Sequence, residues 1–231
     1  YGASPEFSDA LIGWYKHRFG VQITSDMLLP LLGAKDGVSH IPLALSNPGD
    51  EVLIPNPGYP GYVGPTILFG AKPVFYNLSK NFQLDLNEIK SKLSKKTAYI
   101  WVNFPSNPTG GVITINELED LVSFTKTNNL VIVYDNAYSE ITFDGYTAPS
   151  ILQIDGAKDI AVEIGSFSKM SSLAGYRVGW IAGNPQIIRA LAKVKSQLDS
   201  GLSLPLQNLA AYTLSNPDID WQKNMLSSYK N

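Results

Sequence analysis

Six short segments of this chain are apolar on almost every residue, and helical patterns separate them. Residues 27–32, 51–54, 73–76, 98–103, 131–135 and 160–166 carry little of the in-out alternation of a strand that faces water on one side. Runs of this kind belong to strands covered on both faces. Between them lie readable helix starts. Ser4 before Pro5 and Glu6 reads as an N-cap. Asp85 with Glu88 predicts a capping box ahead of Leu86, Ile89 and Leu93, and Thr114 with Glu117 predicts another ahead of Leu118, Leu121 and Val122. Asn184-Pro185 opens a helix with Ile187, Leu191, Val194 and Leu198 as its core stripe. The alternation predicts one α/β domain, three-layer α/β/α, around a mainly parallel mixed sheet of about seven strands.

In such a sheet, ligands sit beyond the carboxyl ends of the strands, so polar residues following each run are the candidates for chemistry. Two other chemistries are thinly provided for. There is no cysteine, and the two histidines, His17 and His40, lie far apart in sequence, so neither a thiolate nucleophile nor a metal site is expected. A net charge of −2 without a basic cluster gives no reason to expect nucleic acid or an anionic membrane as partner. No apolar run is long enough to cross a bilayer and no signal peptide opens the chain, which predicts a cytoplasmic protein.

After the first run, Gly33-Ala34-Lys35-Asp36-Gly37 feeds a helix, offering the backbone N–H groups of Ala34 and Lys35 to an anion. After the second, PNPGYPGY (residues 55–62) is a rigid turn presenting Tyr59, an aromatic suited to stacking on a flat ring. FPSNPTGG (residues 104–111) places Asn107 in a proline-constrained turn, where its amide can donate to an oxyanion. YDNAYSE (residues 134–140) offers Asp135 and Tyr138. Each alone also reads as an ordinary turn or packed tyrosine.

Asp135 ends a buried strand, where an unpaired carboxylate is costly, so a cationic group should face it. A protonated ring nitrogen ~4 Å away would gain roughly 4 kcal/mol at an effective dielectric of about 20. That corresponds to about three pKa units, enough to keep a mildly basic ring protonated. Finally, SFSKMSSLAGYRVGW (residues 166–180) groups Lys169 with Ser166, Ser168 and Arg177, an amine beside oxyanion-binding groups. Such an amine suits a Schiff base with pyridoxal 5′-phosphate. The competing Ser-x-x-Lys reading, a penicillin-binding-protein nucleophile, needs a downstream Lys-Thr-Gly that this chain lacks.

In order and approximate spacing, NPGDEVLIPNPGY, NPTGG, YDNAY and SFSK with GYRVG resemble the fold-type I pyridoxal phosphate enzymes, and within them the class I/II aminotransferases. The resemblance covers most of the chain, to about Gln207. It implies that Lys169 carries the Schiff base and shuttles the substrate Cα proton, that Asp135 binds the ring nitrogen, and that Asn107 and Tyr138 hydrogen-bond the ring oxygen. Tyr59 would stack on the ring, while Ala34, Lys35, Ser166, Ser168 and Arg177 hold the phosphate. Tyr1 would reach the partner subunit's cofactor phosphate, implying a homodimer with shared sites.

The family's N-terminal arm has no match here, nor has its C-terminal small domain with the arginine that grips the substrate carboxylate. Residues 1–231 are therefore expected to be the large, cofactor-binding domain. The expected substrates are an amino acid and a 2-oxo acid, and the stretch SEITFDGYTAPSIL is similar to the LL-diaminopimelate aminotransferase branch. The alternatives are a C–S lyase using the same lysine, the aminotransferase-like domain of a transcription regulator, and an inactive fragment.

Overall fold

The computed structural model describes residues 2–230; Tyr1 lies outside them. Among the described residues, seven strands form one sheet: β1 (Leu28–Leu31), β2 (Glu51–Asn56), β3 (Lys72–Asn77), β4 (Thr97–Asn103), β5 (Val131–Asp135), β6 (Ala161–Ser166) and β7 (Gly179–Gly183). Their order is β1-β7-β6-β5-β4-β2-β3. The pairings among β2, β3, β4, β5 and β6 are parallel, whereas β7 runs antiparallel to both β1 and β6.

The six predicted runs are all strands, with small boundary shifts. Met27 belongs to a 3₁₀ turn, and β2 continues through Pro55 and Asn56. β7 was not among the six. Its sequence, Gly-Trp-Ile-Ala-Gly, is glycine-bounded, and the glycines are required by close packing. A Cβ at Gly179 would meet the backbone of Gly33 and Ala34 within 3.0 Å.

The helices are α1 (Pro5–Phe19), α2 (Ala34–Leu45), α3 (Val63–Leu68), α4 (Leu86–Lys92), α5 (Ile115–Thr127), α6 (Phe167–Met170), α7 (Pro185–Leu198), α8 (Leu204–Ser215) and α9 (Ile219–Lys230). Their starts follow local chemistry. Ser4 caps α1 by accepting from the Phe7 N–H, and Thr114 with Glu117 closes a full capping box on α5. The predicted box on α4 is only half made. Asp85 accepts from Asn87 and Glu88, but the Glu88 carboxylate turns to Asn77 on β3 instead of back to the cap.

Alternate residues of each strand feed opposite cores, as period-two geometry requires. Leu53, Ile100, Val102, Ile132 and Trp180 pack against Phe7, Leu11, Leu118, Leu121 and Ala210, from α1, α5 and α8. Val52, Ile54, Trp101, Val133 and Ile181 pack against Val38, Ile41, Ile187 and Leu191, from α2 and α7. The architecture is thus three-layered.

The α7 stripe departs from its prediction in its last turn. Leu198 is 53% exposed and the buried residue is Lys195, 4% exposed. Its ammonium is held between the carboxylates of Asp36 and Asp199. Among the described residues no helix is long and apolar enough to cross a membrane.

Candidate active site

The parallel strands β4, β5 and β6 end at Asn103, Asp135 and Ser166 on one edge of the sheet, and the turn into α2 and the approach to β7 reach the same edge. A cavity of about 300 Å³ opens there. Its lining includes every described candidate residue: Ala34, Lys35, Tyr59, Asn107, Asp135, Tyr138, Ser166, Ser168, Lys169 and Arg177. Tyr1, the remaining candidate, lies outside the described residues.

One side of the cavity is built for an anion. Gly33 N-caps α2 with φ +80° and contributes no capping side chain, so among the described residues the N–H groups of Ala34 and Lys35 have no side-chain partner. The positive end of the helix dipole adds to their attraction. Arg177 closes the anion-binding side. Its backbone sits at φ 56°, a conformation rare for a side-chain-bearing residue, and its Nη1 donates to the Ala174 carbonyl at 2.9 Å and to Ser168 Oγ at 3.4 Å. Ser166 caps the one-turn α6 by accepting from the Ser168 N–H, and Ser168 in turn meets the guanidinium.

The same turn carries Lys169. Its Nζ lies 5.3 Å from the centroid of the Tyr138 ring, over the face, where an ammonium is attracted by the ring quadrupole. The amine therefore stands at the cavity with an aromatic surface beneath it.

Asp135 forms the deep wall and is 6% exposed. Its Oδ2 accepts from the Tyr62 hydroxyl at 2.7 Å and its Oδ1 from the Ala137 N–H at 3.2 Å. Burial pushes the carboxyl above the ordinary aspartate range, against the lowering effect of those two bonds. No cationic side chain pairs with it among the described residues. A carboxylate has about four lone-pair sites, so acceptor capacity remains toward the cavity.

Two residues of this framework went unnominated. Asn103 Nδ2 donates to the Asp135 carbonyl at 2.9 Å and Oδ1 accepts from the Asn107 N–H at 2.8 Å, tying the two candidate turns together. It pairs directly with Asp135 across β4 and β5, and a polar residue ending an apolar strand was a usable signal. Tyr62 is fully buried, with its ring stacked on Trp101 at 4.4 Å and 17°. It stands three residues after Tyr59, but nothing local in the sequence announces its partner 73 positions away.

A second polar cluster lies at the α2–α7 contact. Asp36, His40 and Asp199 bring ligand-type atoms within 4.8 Å of one another. The Lys195 ammonium, bonded to both aspartates, supplies positive charge there. Asp36 Oδ2 also accepts from the Leu32 N–H at 2.8 Å, and Oδ1 lies 2.8 Å from His40 Nδ1, so the cluster steadies the turn that carries the anion-facing amides.

Comparison with known proteins identifies the family and the fold. The family model described as "Aminotransferase class I and II" matches residues 1–231. The chain is 40% identical over 226 residues to the LL-diaminopimelate aminotransferase of Aquifex aeolicus, and 36% identical over 226 residues to that of Halothermothrix orenii. Both alignments cover 96% of this chain and 58% of the relative, so the chain spans under two thirds of the length of the curated relatives it matches. Among solved structures, an aminotransferase from Staphylococcus aureus superposes with a TM-score of 0.93 at 33% identity, covering 100% of this chain and 61% of that one. The N-succinyldiaminopimelate aminotransferase of Mycobacterium tuberculosis superposes with a TM-score of 0.92 at 27% identity, covering 99% of this chain and 60% of that one.

Proposed function

Because the chain belongs to the class I and II aminotransferases, we propose that residues 1–231 form the cofactor-binding large domain of a pyridoxal 5′-phosphate-dependent transaminase. One observation carries the reading: an amine, a buried carboxylate and an uncapped helix N-terminus with an arginine border a single cavity. The cofactor presents an aldehyde, a basic ring nitrogen and a phosphate, and each of these needs a different one of those groups. The chemistry of the lining therefore fits the cofactor. When bound, pyridoxal phosphate supplies an electron sink for the substrate Cα.

The chain's own residues do the rest. Ala34 and Lys35 amides, Ser166, Ser168 and Arg177 bind the phosphate, and that fixed anchor orients the ring. Asp135, ionised against a cationic ring nitrogen, holds the proton there, and the desolvated site makes the pairing stronger than it would be in water. Tyr59 fixes the plane of the ring, and Asn107 and Tyr138 hydrogen-bond its oxygen. Lys169, whose amine lies over the face of the Tyr138 ring, would move the substrate's Cα proton.

The substrates in this reading are an amino acid and a 2-oxo acid, and the assembly is a homodimer with Tyr1 serving the partner's site. Identities of 36% and 40% to LL-diaminopimelate aminotransferases support a diamino dicarboxylic acid as the first donor to test. The protein is supplied with pyridoxal phosphate, LL-diaminopimelate and a 2-oxo acid, and the amino-acid product is measured; in a parallel assay an S-substituted cysteine, which has a leaving group on its β-carbon, replaces the diaminopimelate, and ammonia and pyruvate are measured. One acceptor amine gained per donor amine lost supports transamination. Ammonia and pyruvate released from the S-substituted cysteine, with no acceptor amination from either donor, would assign the site to elimination instead.

A further inference from the structure

Tyr62 touches both of the groups proposed to orient the ring. Its hydroxyl donates to Asp135 Oδ2 at 2.7 Å, and its ring meets Tyr59 edge-on with centroids 5.5 Å apart. The ring cannot swing away, because its other face is stacked on Trp101 and the residue is fully buried. The other side-chain oxygen of Asp135 is held by the Ala137 N–H, so the two bonds together fix the plane of the carboxylate.

We propose that Tyr62 is a positioning residue: its hydroxyl holds Asp135 ionised and oriented to the cavity, and so sets how strongly the site prefers a protonated ring nitrogen over a ring without one. The identity of the ring rests on the cofactor reading above, whereas the coupling of Tyr62 to Asp135 does not.

The energetics run in the required direction. Burial favours the neutral carboxyl of Asp135, and the hydrogen bond from Tyr62 is the foremost effect opposing it. Tyr62 is itself pushed well above the ordinary tyrosine range, by burial and then by the Asp135 charge, so it remains a donor. A hydrogen bond to a charged group is worth more than tenfold in an equilibrium constant.

Tyr62→Phe tests the proposal, since it removes the hydroxyl and keeps the stack on Trp101. The carboxyl resonance of Asp135 is followed by carbon-13 NMR in aspartate-labelled protein, assigned by its loss in Asp135→Asn. Its titration midpoint is expected to be higher in Tyr62→Phe than in the parent. In parallel, binding of pyridoxal phosphate is compared with that of its deaza analogue, which has C–H in place of the ring nitrogen. The parent is expected to prefer pyridoxal phosphate, and the variant to lose about tenfold of that preference.

A purely structural role would weaken both ligands alike and leave the preference intact. A folded Tyr62→Phe with an unmoved Asp135 midpoint overturns the proposal, whatever the ligands do. If Tyr62→Phe does not fold, a fluorinated tyrosine at that position, a stronger donor, must lower the Asp135 midpoint, and an unchanged midpoint overturns the proposal equally. A shifted midpoint in a protein that binds neither ligand would leave the coupling standing and refute the cofactor reading.

Discussion

The guanidinium of Arg177 lies against the Cα of Gly33 so closely that a methyl group on Gly33 would overlap it. Gly33 is also at φ +80°, in the left-handed half of the map. Both facts serve one purpose, which is to bring an arginine and the first amides of α2 to the same point.

Gly33→Ala should accordingly damage the anion side of the cavity. The side chain must be accommodated by moving Arg177 or by straining the backbone, at a cost of about 1–3 kcal/mol. Affinity for pyridoxal phosphate, read from its absorbance on titration, is expected to fall at least about tenfold, with a lower melting temperature. An unchanged affinity would mean that the α2 turn does not hold the phosphate.

Asp135→Asn should separate stability from activity. A carboxyl whose folded-state pKa is raised by burial contributes stability while protonated, and that contribution is lost as pH rises from the unfolded-state value through the folded one. Near neutral pH the asparagine variant of the cofactor-free protein is therefore expected to be at least as stable as the parent. Amino transfer should fall by about a hundredfold or more, since the ring nitrogen loses its anionic partner. Normal turnover with asparagine at this position would refute the role given to Asp135.

Glu163 gives a pH signature away from the site. It is a buried residue of β6, accepts from the Tyr15 hydroxyl at 2.8 Å and the Ile151 N–H at 3.0 Å, and is pushed by burial up to about 7. Between the unfolded-state value near 4.5 and about 7 the folded state binds the extra proton, so stability declines as pH rises through that window. Glu163→Gln should flatten the decline, by an amount on the order of a few kcal/mol, in denaturant melts taken at pH 5 and pH 8. An identical slope in both proteins would contradict the assignment.

Lys195→Met should be among the costliest substitutions on α7. It leaves the Asp36 carboxylate buried without its ammonium, a loss of about 3–5 kcal/mol. Adding Asp36→Asn should recover part of it, and a double-mutant cycle in thermal unfolding measures the coupling.

Lys195 also marks the limit of what the sequence discloses. The six strands were legible because burial on both faces leaves long apolar runs, and the candidate residues were legible because they follow those runs. β7 was not, because its glycines respond to neighbouring backbone: a Cβ at Gly179 would strike Gly33 and Ala34 at the start of α2, and one at Gly183 would strike Ala161 of β6. The burial of Lys195 depends on aspartates 159 positions earlier and four later, only the second of which is local. Leu198 looked like core by spacing, yet α7 turns its final apolar residue outward where Asp199 closes the ion cluster. Tyr62 stayed hidden because it acts through a residue brought near only by the sheet, whereas Asn103, ending an apolar strand four residues before Asn107, left a signal that could have been read.

Chemical mapping of the cofactor linkage tests the role of Lys169 most directly. The purified protein is mixed with pyridoxal phosphate, its visible absorbance recorded, the mixture reduced with borohydride, and the peptides identified by mass. A visible band and a single reduced adduct, on Lys169 and absent in Lys169→Ala, are expected. An adduct on a different lysine, with Lys169 unmodified, would contradict that role.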